Sequence, residues 1–132
     1  MKKVKQLTVL VEDPFKPGLL GEVASALGAK KVNIGGFMTA EVEGRGGAVR
    51  LIVDRPAVAR KILEQRGWEV TQEEVIELTF SDKPGALGAM ASKLGAAGVN
   101  IQYAYTGSAQ NANKVNTYCA VANMEAALKA LR

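Results

Sequence analysis

The sequence predicts an α+β protein built from two tandem ferredoxin-like units, each ordered strand, helix, strand, strand, helix, strand (βαββαβ). Each antiparallel sheet is expected to carry its two helices on one face, and the second unit lacks its last strand. Two observations lead there. Residues 16–34, KPGLLGEVASALGAKKVNI, align without gaps to residues 83–101, KPGALGAMASKLGAAGVNI, and 13 of 19 positions are identical at a constant offset of 67. Around that repeat, apolar residues recur with a period near 2 or near 3.6 in the same order in both halves. Right-handed crossovers then put strand one in the interior of the sheet and strand two at an edge. The domains are expected at 1–72 and 73–132. Modules this small bury only about 60% of their unfolded surface, so the two are expected to pack together.

Residues 4–11 alternate and then run apolar, with Thr8, Val9 and Val11 favouring a strand. Asp13-Pro14-Phe15-Lys16-Pro17-Gly18 forces a turn, and Pro17 suits a first helical position. Leu20, Val23, Ala24 and Leu27 make one stripe of the helix that follows. Gly21 and Gly28 are read as points of close backbone approach. Lys30 and Lys31 complement the negative end of the helix dipole. A strand over 33–42, a flexible hairpin at Glu43-Gly44-Arg45-Gly46-Gly47 and a return strand over 48–53 come next. Arg55-Pro56 opens a second helix on Val58, Ala59, Ile62 and Leu63, which Gly67 stops. Residues 68–71 form a short fourth strand, and after a polar break 75–80 start the second copy.

In that copy Leu87, Met90, Ala91 and Leu94 repeat the helical stripe, and Gly98 supplies a left-handed cap that the first copy lacks. A strand over 100–105, a longer polar hairpin over 107–114, a return strand over 115–121 and a helix over 124–131 complete it. The place of the missing strand must stand open, be taken by another segment or pair with a neighbouring chain.

The apolar content, 48%, is that of a globular protein, and no apolar run approaches the ~20 residues of a membrane span. Nothing at the start reads as a signal peptide, and one cysteine forms no internal disulfide, so cytoplasmic residence is expected. The net charge of +4 sits in the first copy: residues 1–72 carry twelve basic and eight acidic side chains, the remainder five of each. These charges are scattered as on a solvated surface, which argues against nucleic acid.

Asp82-Lys83-Pro84-Gly85-Ala86-Leu87, the small-residue helix and Gly98-Val99-Asn100-Ile101 together resemble the ACT domain, the amino-acid-sensing module of many biosynthetic enzymes. The resemblance covers essentially the whole chain as two copies, with no catalytic domain attached. It is similar to stand-alone tandem ACT proteins that act as regulators. The resemblance implies a free amino acid as ligand, a homodimer, and a regulated enzyme or regulator as partner. In the family, ligands usually sit where two ACT units meet along their second strands, so both copies are expected to line each site.

The residues support such a site on physical grounds. The turn at Lys83-Pro84-Gly85 is expected to leave the N–H groups of Gly85, Ala86 and Leu87 unpaired at the positive end of a helix dipole, which makes a carboxylate receptor. An ammonium would need acceptors, and Asp82 and the side-chain carbonyl of Asn100 are candidates. Gln102, two residues beyond Asn100, shares its strand face, with Ile101 between them. The first-copy counterparts are Gly18, Leu19, Leu20, Asn33 and Ile34. There Phe15 stands in place of Asp82, Asp13 lies two residues further back on a longer turn, and Gly35 replaces Gln102. The second motif is therefore expected to bind better.

Each of these residues also has a plainer use: Pro-Gly can simply start a helix, and Asn33, Asn100 and Asp82 can bond local backbone. Tyr103 and Tyr105 share a strand face and are expected to pack. Trp68 is expected to anchor a core or interface, and Cys119 to be a small buried side chain. With no histidine and a single cysteine, the usual general base, imidazole ligands and thiolate clusters are missing. Gly44-Arg45-Gly46-Gly47 joins two strands and does not open a helix, so it is no phosphate loop. Acylphosphatase chemistry on this fold would need an arginine where Lys16 and Lys83 stand. No enzyme activity, cofactor or metal is expected. The competing reading is an RNA- or polyanion-binding ferredoxin-like module, which normally wants aromatic residues on the return strands. Those strands offer only Tyr118.

Overall fold

The computed structural model describes residues 1–12, 16–42 and 44–132. Along the chain run β1 (Lys2–Val11), α1 (Leu19–Ala29), β2 (Ile34–Val42), β3 (Gly46–Val53), α2 (Pro56–Gln65), β4 (Glu69–Ser81), α3 (Ala86–Ala96), β5 (Ile101–Gly107), β6 (Lys114–Val121) and α4 (Met124–Leu131). These elements form two compact units. One is Lys5–Glu73; the other joins Met1–Val4 to Glu74–Arg132.

In the unit Lys5–Glu73, β3 lies between β1 and β2, antiparallel to both. Leu7 and Val9 of β1 and Val49, Leu51 and Val53 of β3 face Leu19, Val23, Leu27, Ala59 and Leu63 of the helices in one core. Gln6 and Thr8, on the opposite face of β1, are buried as well, at 0% and 5% exposure. Their partner is Glu73 at the end of this unit's share of β4. Its carboxylate accepts from Gln6 Nε2 at 3.2 Å, from Thr8 Oγ1 at 2.8 Å and from Thr71 Oγ1. The expected polar break before the second copy is therefore absent: Gln72-Glu73-Glu74 continue one strand, because the Glu73 charge is satisfied by side chains from β1.

In the second unit β6 lies between β4 and β5, again antiparallel, over a core of Ile76, Leu78, Leu94, Val99, Cys119 and Ala127. The residues that join it from the start of the chain bear on the missing strand. Lys2 Nζ lies 3.6 Å from Glu77 and Lys3 Nζ 3.8 Å from Glu74, so Met1–Val4 flanks β4. Another segment of the same chain takes the vacant place.

The helices differ from the sequence reading in which side chains they bury. In α1 the buried set is Leu19, Val23, Ala26 and Leu27; Leu20 and Ala24 are half-buried. In α2 Val58 is 42% exposed. In α3 only Leu94 is buried, and Leu87 is 60% exposed. Periodicity fixes the width of an apolar stripe, but its rotation depends on what covers it. Pro17 precedes α1 instead of opening it, since Gly18 is the N-cap. Pro56 does occupy the first turn of α2, and the Asn123 side-chain oxygen Oδ1 caps α4 by accepting from Ala126 N–H at 3.0 Å. A Cβ at Gly21 or Gly28 would meet nothing within 4 Å, so close approach does not explain them. Part of the first hairpin, Glu43, lies outside the described residues, and β3 starts at Gly46.

Both copies of the repeated helix close alike. Gly98 has φ +71, and its N–H donates to the Gly95 carbonyl at 3.0 Å while Val99 N–H reaches Leu94 O at 2.9 Å. In the first copy Lys31 has φ +60, with Lys31 N–H on Gly28 O at 2.9 Å and Val32 N–H on Leu27 O at 3.0 Å. The left-handed cap expected to be missing there is present, carried by a lysine. Arg55 Nη2 adds bonds to the carbonyls of Lys30 (3.1 Å) and Lys31 (2.7 Å).

Candidate functional site

Two loops that join a first strand to a first helix carry part of the expected ligand set. Gly18 and Gly85 are the N-caps of α1 and α3, with φ +91 and +86, conformations that L side chains rarely adopt. At neither position would a Cβ meet an atom within 4 Å, so the backbone stands open to an approaching molecule. Glycine is needed here for its dihedral.

In the second unit the loop is pinned on both sides. Asp82 N–H donates to Asn113 O at 2.9 Å and Lys83 N–H to Ser81 O at 2.9 Å. The Asp82 side chain is exposed. Ala86 N–H donates to Lys83 O at 3.3 Å, which removes one of the three donors expected to be unpaired. Gly85 and Leu87 N–H have no backbone acceptor among the described residues. Two of the three expected donors thus remain at the helix start, with the exposed Leu87 side chain beside them.

Asn100, Ile101 and Gln102 lie elsewhere. Ser81 pairs with Lys114 at one end of β6 and Ile101 with Val121 at the other. Seven strand residues span roughly 24 Å. α3 itself, at about 1.5 Å per residue, separates its ends by roughly 16 Å. Asp82 and Asn100 of one unit therefore do not converge on one ammonium. The same holds in the first copy for Gly18, Leu19 and Leu20 against Asn33 and Ile34, since Ile34 pairs with Val53 at the far end of β3. No single unit assembles the whole expected set.

The strand-two residues also sit differently from a simple alternation. The register shifts between Ile101 and Tyr103 and, in the first copy, between Ile34 and Gly36. Gln102 and Gly35 are the extra residues of matching bulges, so counting by two from Asn100 does not set the face of Gln102. Asn33 donates its N–H to Asp54 Oδ1 at 3.1 Å and accepts from Asp54 N–H at 3.2 Å, and Asn100 O accepts from Ala122 N–H at 3.2 Å. Their backbones close the strand entry.

The two loops are unequal. Phe37 meets Leu51 and Ala104 meets Cys119, so Leu51 and Cys119 correspond; their other partners, Leu7 and Ile76, then correspond as well. On that register Val11 matches Phe80, and the path from Val11 to Gly18 is two residues longer than that from Phe80 to Gly85. Asp13 and Phe15 lie outside the described residues.

Two features were not singled out as sites from sequence. Trp68 packs against the first core and lines two clefts, one of about 710 Å³ with Lys16, Leu19 and Glu22, the other of about 630 Å³ with Gly18, Ser25 and Arg66. A lone tryptophan after a helix stop signals packing, and nothing in the pattern indicates an adjoining hollow. In the second unit the hairpin between β5 and β6 borders a polar cleft of about 380 Å³. Its length and polarity were the only signal.

Among the described residues no three His, Cys, Asp or Glu side chains gather as a metal site. Among the same residues no helix is long and apolar enough to cross a membrane. Cys119 is buried, and burial pushes its thiol pKa up, away from nucleophilic character. Tyr118 is 2% exposed, its ring centroid 5.5 Å from that of Tyr105, so it offers no face to a nucleic acid base.

A sequence-family model described as an ACT domain pair matches residues 2–122. A protein of Bacteroides thetaiotaomicron, known from a crystal structure, is 31% identical, with a TM-score of 0.85 over 98% of this chain and 86% of that one. The regulatory subunit of aspartate kinase from Thermus thermophilus, in a ligand-free form, superposes with a TM-score of 0.68 at 17% identity, covering 98% of this chain and 89% of the subunit. The corresponding subunit from Thermus flavus gives 0.62 at 16% identity, covering 99% and 91%. No curated protein matches.

Proposed function

Because the chain belongs to the family of paired ACT domains, we propose that it is a cytoplasmic regulatory protein that binds a free amino acid and alters the activity of a partner protein. The observation that carries this reading is the positive-φ glycine cap, formed at Gly18 and again at Gly85 with open space around each. A carboxylate placed there meets outward N–H groups and the positive end of a helix dipole. The Thermus aspartate kinase neighbours are themselves regulatory subunits, but at 17% and 16% identity they speak for the fold alone.

An amino acid has about ten heavy atoms, and small-ligand efficiencies then allow micromolar to millimolar binding, the range of metabolite sensing. Coupling to a partner would amount to about 1 to 3 kcal/mol. Asp82 is the ammonium acceptor nearest the α3 cap in sequence, and the second loop is the better site. The chain works as a homodimer, and the protein it regulates is an enzyme or another regulator.

Thermal melts against each of the twenty amino acids test this. A ligand at a hundred times its dissociation constant adds about 2.7 kcal/mol to stability. One amino acid is expected to raise the melting temperature in that way, and Asp82→Ala to abolish the rise. A protein that responds to none of the twenty, but shifts short RNA in a gel at moderate salt, would belong to the competing class.

A further inference from the structure

The second unit diverges from the first at the end of its sheet that carries the Asp82 loop. On the matched register, Thr8, Leu10 and Ala48 of the first copy stand where the second has Glu77, Thr79 and Asn116. The connection between β5 and β6 is also longer than that between β2 and β3. Together these changes enclose the polar cleft of about 380 Å³, a volume within the range of small-ligand sites.

The walls are held before anything binds. Thr79 Oγ1 donates to Asn116 Oδ1 at 2.7 Å, and Asn116 Nδ2 donates to Ser108 O at 2.9 Å, which fixes the hairpin against β4 and β6. Asn111 Oδ1 accepts from Asn113 N–H at 3.0 Å and shapes the hairpin tip. Glu77 is the one carboxylate lining the cleft among the described residues, and its side chain is only 16% exposed. Its cationic partner, Lys2, is 68% exposed and held at a loose 3.6 Å. A second cation, Lys114, rests on Ser81 Oγ at 3.3 Å.

We propose that this cleft binds a small zwitterion: the ligand ammonium replaces Lys2 at Glu77, and the ligand's acidic group takes Lys114 and the released Lys2. The exchange gives each charge an opposite neighbour, whereas a purely cationic ligand would displace Lys2 from Glu77 and leave both lysines without an anion, and a simple anion would use Lys114 and leave Glu77 to Lys2. The amides of Gln110 and Asn111 line the same space and select a ligand whose body carries a hydrogen-bonding group. This site is separate from the α3 cap and does not depend on it.

The probes are the twenty free amino acids, titrated one at a time into the full-length protein labelled with nitrogen-15. The readout is the side-chain amide signals of Gln110, Asn111 and Asn116. At least one amino acid is expected to move them saturably, and Glu77→Gln to weaken that binding at least tenfold. Gln110→Ala, at an exposed hairpin position, is a second variant should Glu77→Gln fail to fold, and at least threefold weakening is expected there. The proposal is overturned if no amino acid moves these signals or if neither variant weakens binding. It is overturned equally if Asp82→Ala abolishes the response, which would assign it to the α3 loop. A melting response lost in Asp82→Ala while the amide signals stay still would refute the cleft and leave the regulatory reading standing.

Discussion

Lys31→Gly is expected to stabilise the protein by about 1 kcal/mol. Lys31 holds φ +60, where an L residue loses about 1 to 2 kcal/mol to contact between Cβ and the following carbonyl. Glycine removes that cost but is freer in the unfolded chain, which returns roughly 0.4 to 1 kcal/mol. No other contact is disturbed. The lysine side chain is exposed, and both the Lys31 N–H bond to Gly28 O and the Arg55 bond to Lys31 O involve backbone atoms that survive the substitution. The other copy supplies the reverse experiment. Gly98 has φ +71, and a Cβ there would meet nothing within 4 Å, so Gly98→Ala isolates the dihedral penalty and is expected to cost about 1 kcal/mol. With a urea m-value of about 2 kcal/mol/M, each change moves the unfolding midpoint by roughly 0.5 M, in opposite directions. If the two units melt separately, Lys31→Gly moves the transition of Lys5–Glu73 and Gly98→Ala the other. An unchanged or lowered midpoint for Lys31→Gly, with Gly98→Ala neutral, would refute the assignment of strain to this cap.

Thr117 Oγ1 is buried without a partner among the described residues, whereas the matching first-copy position is Val49, so Thr117→Val is expected to add about 1 to 2 kcal/mol in a calorimetric melt. Glu73→Ala strips the buried Thr8 hydroxyl of its acceptor and should cost about 2 kcal/mol in urea unfolding, against a near-neutral Glu74→Ala, whose ion pair is exposed. Stability is expected to fall at alkaline pH. Burial pushes the Cys119 thiol up, and burial together with the Glu77 charge does the same for Tyr118, so both folded-state values lie above the unfolded ones. Their contribution is intact below about pH 8.5 and is lost as pH rises past the unfolded values toward the folded ones. Denaturation midpoints between pH 7 and 11 check this, and Cys119→Ala should flatten the first part of the decline.

The fold was legible because it is written twice. The gapless match of residues 16–34 to 83–101 places two helices and two strand entries, and α4 begins and ends where its periodicity put it. What was not legible depends on partners distant in sequence. Glu73 reads as a strand breaker until Thr8, 65 residues earlier, is seen to hold its carboxylate. The exposure of Leu87 follows from what lies over α3, which its own spacing cannot report. At the site, Pro-Gly marked both caps correctly because few residues tolerate that dihedral. The face assigned to Gln102 was lost to a bulge, a one-residue insertion whose signature is a hydrogen-bond register and not a residue type.

The second unit joins two stretches far apart in sequence, and this has a consequence for biogenesis. Residues 1–4 are synthesised well before the strand they flank, which emerges some seventy residues later, when the near module is already able to close. That tetrapeptide must therefore wait, unprotected, while its neighbours settle. Clipping after Val4, or anchoring a bulky fusion there, would injure the far module while sparing the near one.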